Sequence, residues 1–398
     1  MASVPRQGAT TDESAGAVRP GSNRGHSTRP ACVPRVATRP RVRLGAARRA
    51  VRATMPPMPR QHQIRRFAAA LGALAVLSAF AAPAAAHGPL PTEAPTASSL
   101  LLGWTFEPLP TLGIAVAVAW WLWAVRRVDA AHPGNPVPHR RTVAFLAGMI
   151  ALAFAVSSGI GRYDTALFSV HMVQHVLLML VAAPLVALAA PITLVLRLAT
   201  PGTRRRWILP ILHSRLLRFM AHPVTAWLMF AAMMWAVHFS PLFNASLEDP
   251  IIHDIEHALF LTGALLFWWP AVALDPAPWR MSHPVRVGYL FTQMTQNTFL
   301  AVVILNAGAA LYPHYATLAG PWGIDALDDQ RLAAGIMWIV GDAIFLTAIL
   351  AVVAGWMRAE ARNEARADRR ADAELVQVRI RERRLAERLA DERGERGR

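Results

Sequence analysis

The chain has 398 residues, 54% of them apolar and 17% charged, with a formal charge of +16. Soluble domains average about 25% charged residues, so an ordinary cytosolic enzyme is excluded. The basic excess brackets apolar runs instead of forming the folded basic face that nucleic acid requires. The chain lacks lysine, which removes any Schiff-base residue and with it a retinal protein, and its single cysteine, Cys32, leaves no disulfide chemistry.

In chain order, residues 1–54 are rich in Arg, Pro, Gly and Ser and lack apolar periodicity, so they read as a disordered leader. Met55 and Met58 offer a more conventional start, which makes the leader a candidate for untranslated sequence. From there MPRQHQIRRFAAALGALAVLSAFAAPAAAHG has a basic head (Arg60, Arg65, Arg66), an apolar middle and Ala84-Ala85-Ala86. That is the layout of a cleavable signal peptide over 55–86. Cleavage makes His87 the first residue of an extracytoplasmic segment, 87–107.

Seven apolar stretches follow, at about 108–125, 142–160, 167–190, 222–240, 251–272, 286–306 and 332–356. Each approaches the length that crosses a hydrocarbon core. An open sheet could not satisfy its backbone there. The predicted fold is therefore an all-α polytopic membrane protein, a seven-helix transmembrane bundle over 108–356. With the mature N-terminus outside, inner loops carry Arg126, Arg127, Arg140, Arg141, Arg197, Arg204, Arg205, Arg206, Arg215, Arg218, Arg280 and Arg286. Outer loops carry only Arg162 and Arg331, so the positive-inside bias is twelve to two. The acids Asp164, Glu248, Asp249, Asp325, Asp328 and Asp329 fall outside. The tail, 357–398, is then cytoplasmic, helical and charged, with a thin apolar stripe of Leu375, Val378, Leu385 and Leu389. It reads as a solvated helix held near anionic lipid, with a partner-binding coiled coil as the other reading.

This orientation sorts the histidines. His171 and His175, His238, and His253 and His257 all fall at the outer ends of spans, with His87 and His314 on the same side. His132, His139, His213, His222 and His283 fall inside and read as loop or interfacial residues. Spacing of i, i+4 stacks each pair on one helix face. Two such pairs at one depth, joined by His238, predict a shared site, because ionisable intramembrane groups are usually functional. Neutral imidazole is the commonest metal ligand. Met172 and Met179 flank the first pair, and thioethers suit Cu(I), although most methionines of an apolar chain serve packing. Gln293, Gln296, Asn297 and Asn306 enter or bound the sixth stretch, and Asp342 enters the seventh. Asp342 either orients a histidine or bonds the sixth-span amides.

Two rivals stand beside a copper site. HDIEH fits the H-x-x-E-H zinc-peptidase pattern with Glu256 as general base, but no downstream helix offers the further carboxylate ligand. Histidines on neighbouring helices also suit haem, although electron transfer across the membrane usually places them on both sides. A transporter is a further alternative, although the mirrored, Gly/Pro-broken spans that mark such folds are not evident.

FSVHMVQHVLLMLVAAPLVALAAP, HDIEHALFLTGALLFWWPAV, MTQNTFLAVVILNAGAALYPHYA and LAAGIMWIVGD together resemble the multi-span CtaG family, assembly factors of caa-type cytochrome c oxidases, over roughly residues 100–356. The resemblance implies an integral plasma-membrane protein needed to form active oxidase, with copper supply as its expected role. The family's histidine motifs fall on His171, His175, His253 and His257, and its late acidic position on Asp342. The leader and tail lie outside the resemblance. The single-span copper chaperone of the same name relies on cysteines that the mature chain lacks.

These readings combine into one expectation. An outward-facing site of His171, His175, His253, His257 and His238, with Met172 as a further candidate, binds copper as Cu(I). The site hands copper by ligand exchange to cytochrome c oxidase subunits. Membrane lipid is the other partner, nucleic acid is not one, and no covalent chemistry makes the protein an enzyme.

Overall fold

The structure is a computed structural model that describes residues 92–318 and 322–396. The expected leader, signal peptide and His87 lie outside the described residues. Every regular element among the described residues is helical. The principal helices are α1 Pro108–Ala131, α2 His139–Ser157, α3 Phe168–His175, α4 Ala183–Ala189, α5 Pro191–Leu198 and α6 Pro223–His238. They continue as α7 Pro241–Glu248, α8 Pro250–Val272, α9 His283–Leu305, α10 Pro313–Leu318 and α11 Ala326–Arg396. Proline occupies one of the first two positions of α1, α5, α6, α7, α8 and α9. Its missing N–H costs nothing there, because the first helical N–H groups have no intrahelical partner.

Among the described residues, five segments are long and apolar enough to cross a membrane: Pro108–Ala131, His139–Tyr163, Phe168–Leu198, Pro250–Val272 and Ala326–Asp391. A sixth is available if α6 and α7, which meet at a 72° bend, count as one. The bend follows from Ser240 and Pro241, since the Ser240 hydroxyl caps the Leu242 N–H and the proline starts a new helix. The stretch expected as a span at 286–306 forms α9, a helix of 23 residues that is not among these segments. Arg286, Gln293, Gln296 and Asn297 make it more polar than its neighbours.

The segment Phe168–Leu198 is composite. After α3 the chain passes into a π-helix, Val176–Ala182, before α4. Pro184 explains this. In a π turn each carbonyl looks to the N–H five residues on, and the Ala183 N–H accordingly reaches Leu178. For Met179 the corresponding residue is Pro184, which has no N–H. The Trp268 indole supplies the missing donor, at 2.9 Å from the Met179 carbonyl. Ala190 then adopts a left-handed conformation, φ 57°, and α5 restarts at Pro191. The Asp275 carboxylate accepts the Ile192 and Thr193 N–H groups, at 3.0 and 2.6 Å, and so holds this restart.

Helix ends elsewhere are tied in the same way. Arg286 donates to the Ala271 and Val272 carbonyls at the end of α8. Asp329, at the start of α11, accepts the Phe168 and Ser169 N–H groups at the start of α3. The main core lies between α3, the π-helix, α6, α8, α9 and α11, and includes Phe230, Phe260, Phe267, Trp268 and Phe345. A second cluster joins α1 to α2, where Trp121 stacks on Phe145 at 4.2 Å.

Candidate metal centre

Helices α3 and α8 each carry histidine at the fourth and eighth positions: His171 and His175, His253 and His257. One helical repeat puts each pair on one face. The rings of each pair lie 4.2 and 4.1 Å apart. Between helices, His171 meets His253 at 5.5 Å and His175 meets His257 at 6.1 Å. The four predicted imidazoles therefore form one quadrilateral, with equivalent positions of the two helices facing each other. His171 and His253 are fully buried, His175 almost so and His257 partly.

Three carboxylate and amide side chains complete the centre; the sequence singled out Glu256 only for the peptidase pattern and missed the roles of Asp164 and Gln174. Asp164 lies between α2 and α3, with Oδ2 3.8 Å from His253 Nε2. Burial pushes its carboxyl up to about 8, against the opposing pull of the Gln174 amide and the Thr165 N–H. Glu256 on α8 places Oε1 4.0 Å from His175 Nε2. Gln174 donates from Nε2 to the Ala155 carbonyl and to Asp164 Oδ2, at 3.1 and 2.6 Å. A carbonyl only accepts, so this fixes the amide orientation and turns Gln174 Oε1 toward His257 Nε2, at 3.0 Å. His257 therefore carries a proton on Nε2. Hydrogen-bonding one ring nitrogen to orient the other is the usual support for a metal-binding histidine.

Two donor sets overlap at His253. One is Asp164, His253 and His257, and the other is His171, His253 and Glu256; within each, one donor atom per residue lies within 4.8 Å of the rest. Donors on a tetrahedral ion with ~2.1 Å bonds lie about 3.4 Å apart.

The hydrogen-bond inventory marks the same place. Both ring nitrogens of His171 and of His175, both carboxylate oxygens of Glu256, and Nε2 of His238 are buried without a hydrogen-bond partner. Ser246, beside Glu256, spends its hydroxyl proton on the Phe243 carbonyl at 2.8 Å. Native proteins leave few buried polar atoms unpaired, and each costs about 1–3 kcal/mol. Seven such atoms lie on these four side chains.

His238 is placed apart from the quadrilateral. It ends α6, its Nδ1 lies 2.7 Å from the Met234 carbonyl, and its ring stacks on Phe243. It shares a small cavity with His175 and Met172. Asp342 contacts Thr298, whose hydroxyl donates to Oδ2 at 2.7 Å. The expected link to sixth-span amides is thereby corrected to a hydroxyl, because Asn297 turns its amide to the Met337 carbonyl across the gap left by Gly341. His314 approaches the Thr165 carbonyl at 3.0 Å.

The geometry also weighs the rival readings. Adjacent imidazoles contact one another directly, and the cavity beside His175 has about 20 Å³ of space, room for one water-sized guest. A haem macrocycle does not fit there. The peptidase pattern gains the carboxylate ligand that it lacked in sequence, since Asp164 joins His253 and His257 from upstream.

The chain is 32% identical over 278 residues to uncharacterized proteins of Mycobacterium bovis and Mycobacterium tuberculosis, a match covering 68% of this chain and 42% of each relative. It is 32% identical over 269 residues to an uncharacterized protein of Mycobacterium leprae, covering 65% and 40%. The chain thus spans about two fifths of the length of the curated relatives it matches. No solved structure matches. The model of the cytochrome c oxidase caa3 assembly factors (Caa3_CtaG) matches residues 119–359, a stretch that contains the whole histidine quadrilateral, and the chain belongs to that family.

Proposed function

We propose that the protein serves the assembly of a caa3-type cytochrome c oxidase by holding copper at the four-imidazole centre and passing it to the nascent oxidase subunits. The observation that carries this reading is the gathering of buried imidazole and carboxylate side chains from α3, α8 and the segment before α3 around one point. Imidazole binds copper well, and an ion satisfies several orphaned donors at once. Copper is cargo here, moved by ligand exchange, and no covalent chemistry is required.

The topology that fits is seven spans, counting α9, in the plasma membrane after removal of the signal peptide. The arginine bias then puts the N-terminus and the centre on the extracytoplasmic side and α11's charged end in the cytoplasm. Both histidine pairs start within one turn of a helix beginning, so the centre is reached from outside without crossing the bilayer.

The test is copper content of the purified protein, wild type against His171→Ala and His253→Ala, paired with oxidase activity in cells. Both variants are expected to lose copper and oxidase. Unchanged copper and normal oxidase in both defeat the reading.

A second reading rests on Asp164, His253 and His257 as a zinc set beside Glu256. Glu256→Gln separates the two. A peptidase loses cleavage of membrane-peptide substrates, whereas the copper centre keeps its imidazoles and its metal.

A further inference from the structure

One turn beyond His175, the structure holds a cavity that the four-imidazole centre does not use. Its walls include Met172, Met179, Met234 and Met337, together with His175 and His238. Four of its eleven lining residues are methionines, against 14 in the 398 residues of the chain. Methionine fills irregular space, but its thioether is also a soft donor, and here four such side chains line one cavity together with two imidazoles.

The polar atoms present have the right form. His238 Nδ1 lies 2.7 Å from the Met234 carbonyl, which only accepts, so Nδ1 carries the proton. Its Nε2 is then a bare lone pair, buried and without a hydrogen-bond partner. His175 likewise leaves both ring nitrogens unpartnered. The space, about 20 Å³, admits a water molecule or a bare ion and nothing larger. Water needs two to four polar partners, and a wall mostly of thioether and hydrocarbon side chains is poor at supplying them. Thioether sulfur with imidazole is instead the donor set that selects monovalent copper over harder ions.

We propose that this cavity is a second metal site, specific for Cu(I), and that His175 is shared between it and the four-imidazole centre. This rests on the copper reading of that centre and extends it. The outer centre offers nitrogen and oxygen donors, and the inner pocket offers sulfur and nitrogen. A copper ion passes between them as Cu(I) by exchanging ligands around His175, with no electron transferred.

The experiment uses the full chain purified in detergent, titrated with Ag(I) as a redox-inert substitute for Cu(I), and separately with Zn(II). X-ray absorption of the Ag(I)-loaded wild type is expected to show sulfur neighbours. Met234→Leu with Met337→Leu is expected to weaken Ag(I) binding by on the order of tenfold or more and to leave Zn(II) binding as in wild type, which also reports a retained fold. His253→Ala with His257→Ala is expected to lose Zn(II) and keep sulfur-bound Ag(I). The proposal is overturned if wild type binds no Ag(I), if bound Ag(I) has only nitrogen or oxygen neighbours, or if the methionine pair binds Ag(I) as tightly as wild type. If the methionine pair also loses Zn(II), the wild-type sulfur signal alone decides. Loss of copper in His171→Ala with no sulfur signal in wild type leaves the outer centre standing and removes only the inner site.

Discussion

Asp329 accepts the backbone N–H of Phe168 at 2.7 Å, and so ties the start of α11 to the first turn of the helix that carries His171 and His175. The contact joins residues 161 positions apart. It satisfies N–H groups that no helical carbonyl can reach. Asp329→Ala is expected to destabilise the protein by about 1–2 kcal/mol, the usual cost of a lost cap, and to weaken metal binding by loosening α3. Thermal unfolding in detergent with and without metal measures both. A variant as stable as wild type shows that the cap contributes nothing.

Gln174 acts on the site through His257. Gln174→Leu removes the acceptor that fixes the His257 tautomer and the donor to Asp164. Metal affinity is expected to fall by roughly 10- to 100-fold, with the helical signal in circular dichroism unchanged. Affinity equal to wild type shows that His257 is not oriented by this amide.

Asp164 gives the metal-free protein a pH dependence with a definite sign. Burial raises its carboxyl to about 8. The folded state therefore holds the proton more tightly than the unfolded chain, whose carboxyl titrates near 3.9. The stabilisation is full below the unfolded value and is lost as pH rises through about 8. Between pH ~5 and pH ~8 metal-free wild type is expected to lose stability relative to Asp164→Asn, which cannot release this proton. Equal slopes for the two proteins remove Asp164 as the cause.

Trp268→Phe tests the π-helix. It leaves the Met179 carbonyl buried with no donor, because Pro184 cannot serve it. The expected loss is about 1–3 kcal/mol of stability. A smaller loss means that the segment relaxes to another hydrogen-bonding pattern, which amide exchange of Val176–Ala183 would reveal.

Much of the centre is legible in the sequence, for a definite reason. The i, i+4 spacing sets the faces of α3 and α8 wherever those helices lie, and the arginine bias sets which ends share a side. The rotation of a helix about its own axis is not legible, because lipid and protein interior are both apolar and the pattern does not distinguish them. His238 shows this: it ends α6 near the others, yet turns toward Met234 and Phe243. Asp164 reads as one of several acids between spans, and only the folded chain places it against His253. The π-helix is hidden similarly, since Pro184 in an apolar run gives no sign of which carbonyl it strands. The α6–α7 bend did leave a trace in Ser240-Pro241, a start signal for a new helix.

Helix α11 runs without interruption from Ala326 to Arg396, 71 residues or about 105 Å. A hydrocarbon core takes up about 20 residues of any helix, and the described residues beyond Arg362 are exposed. The last 35 or so residues form a rod about 50 Å long standing clear of the bundle. Its length sets the farthest reach of the tip, about 50 Å beyond the bundle.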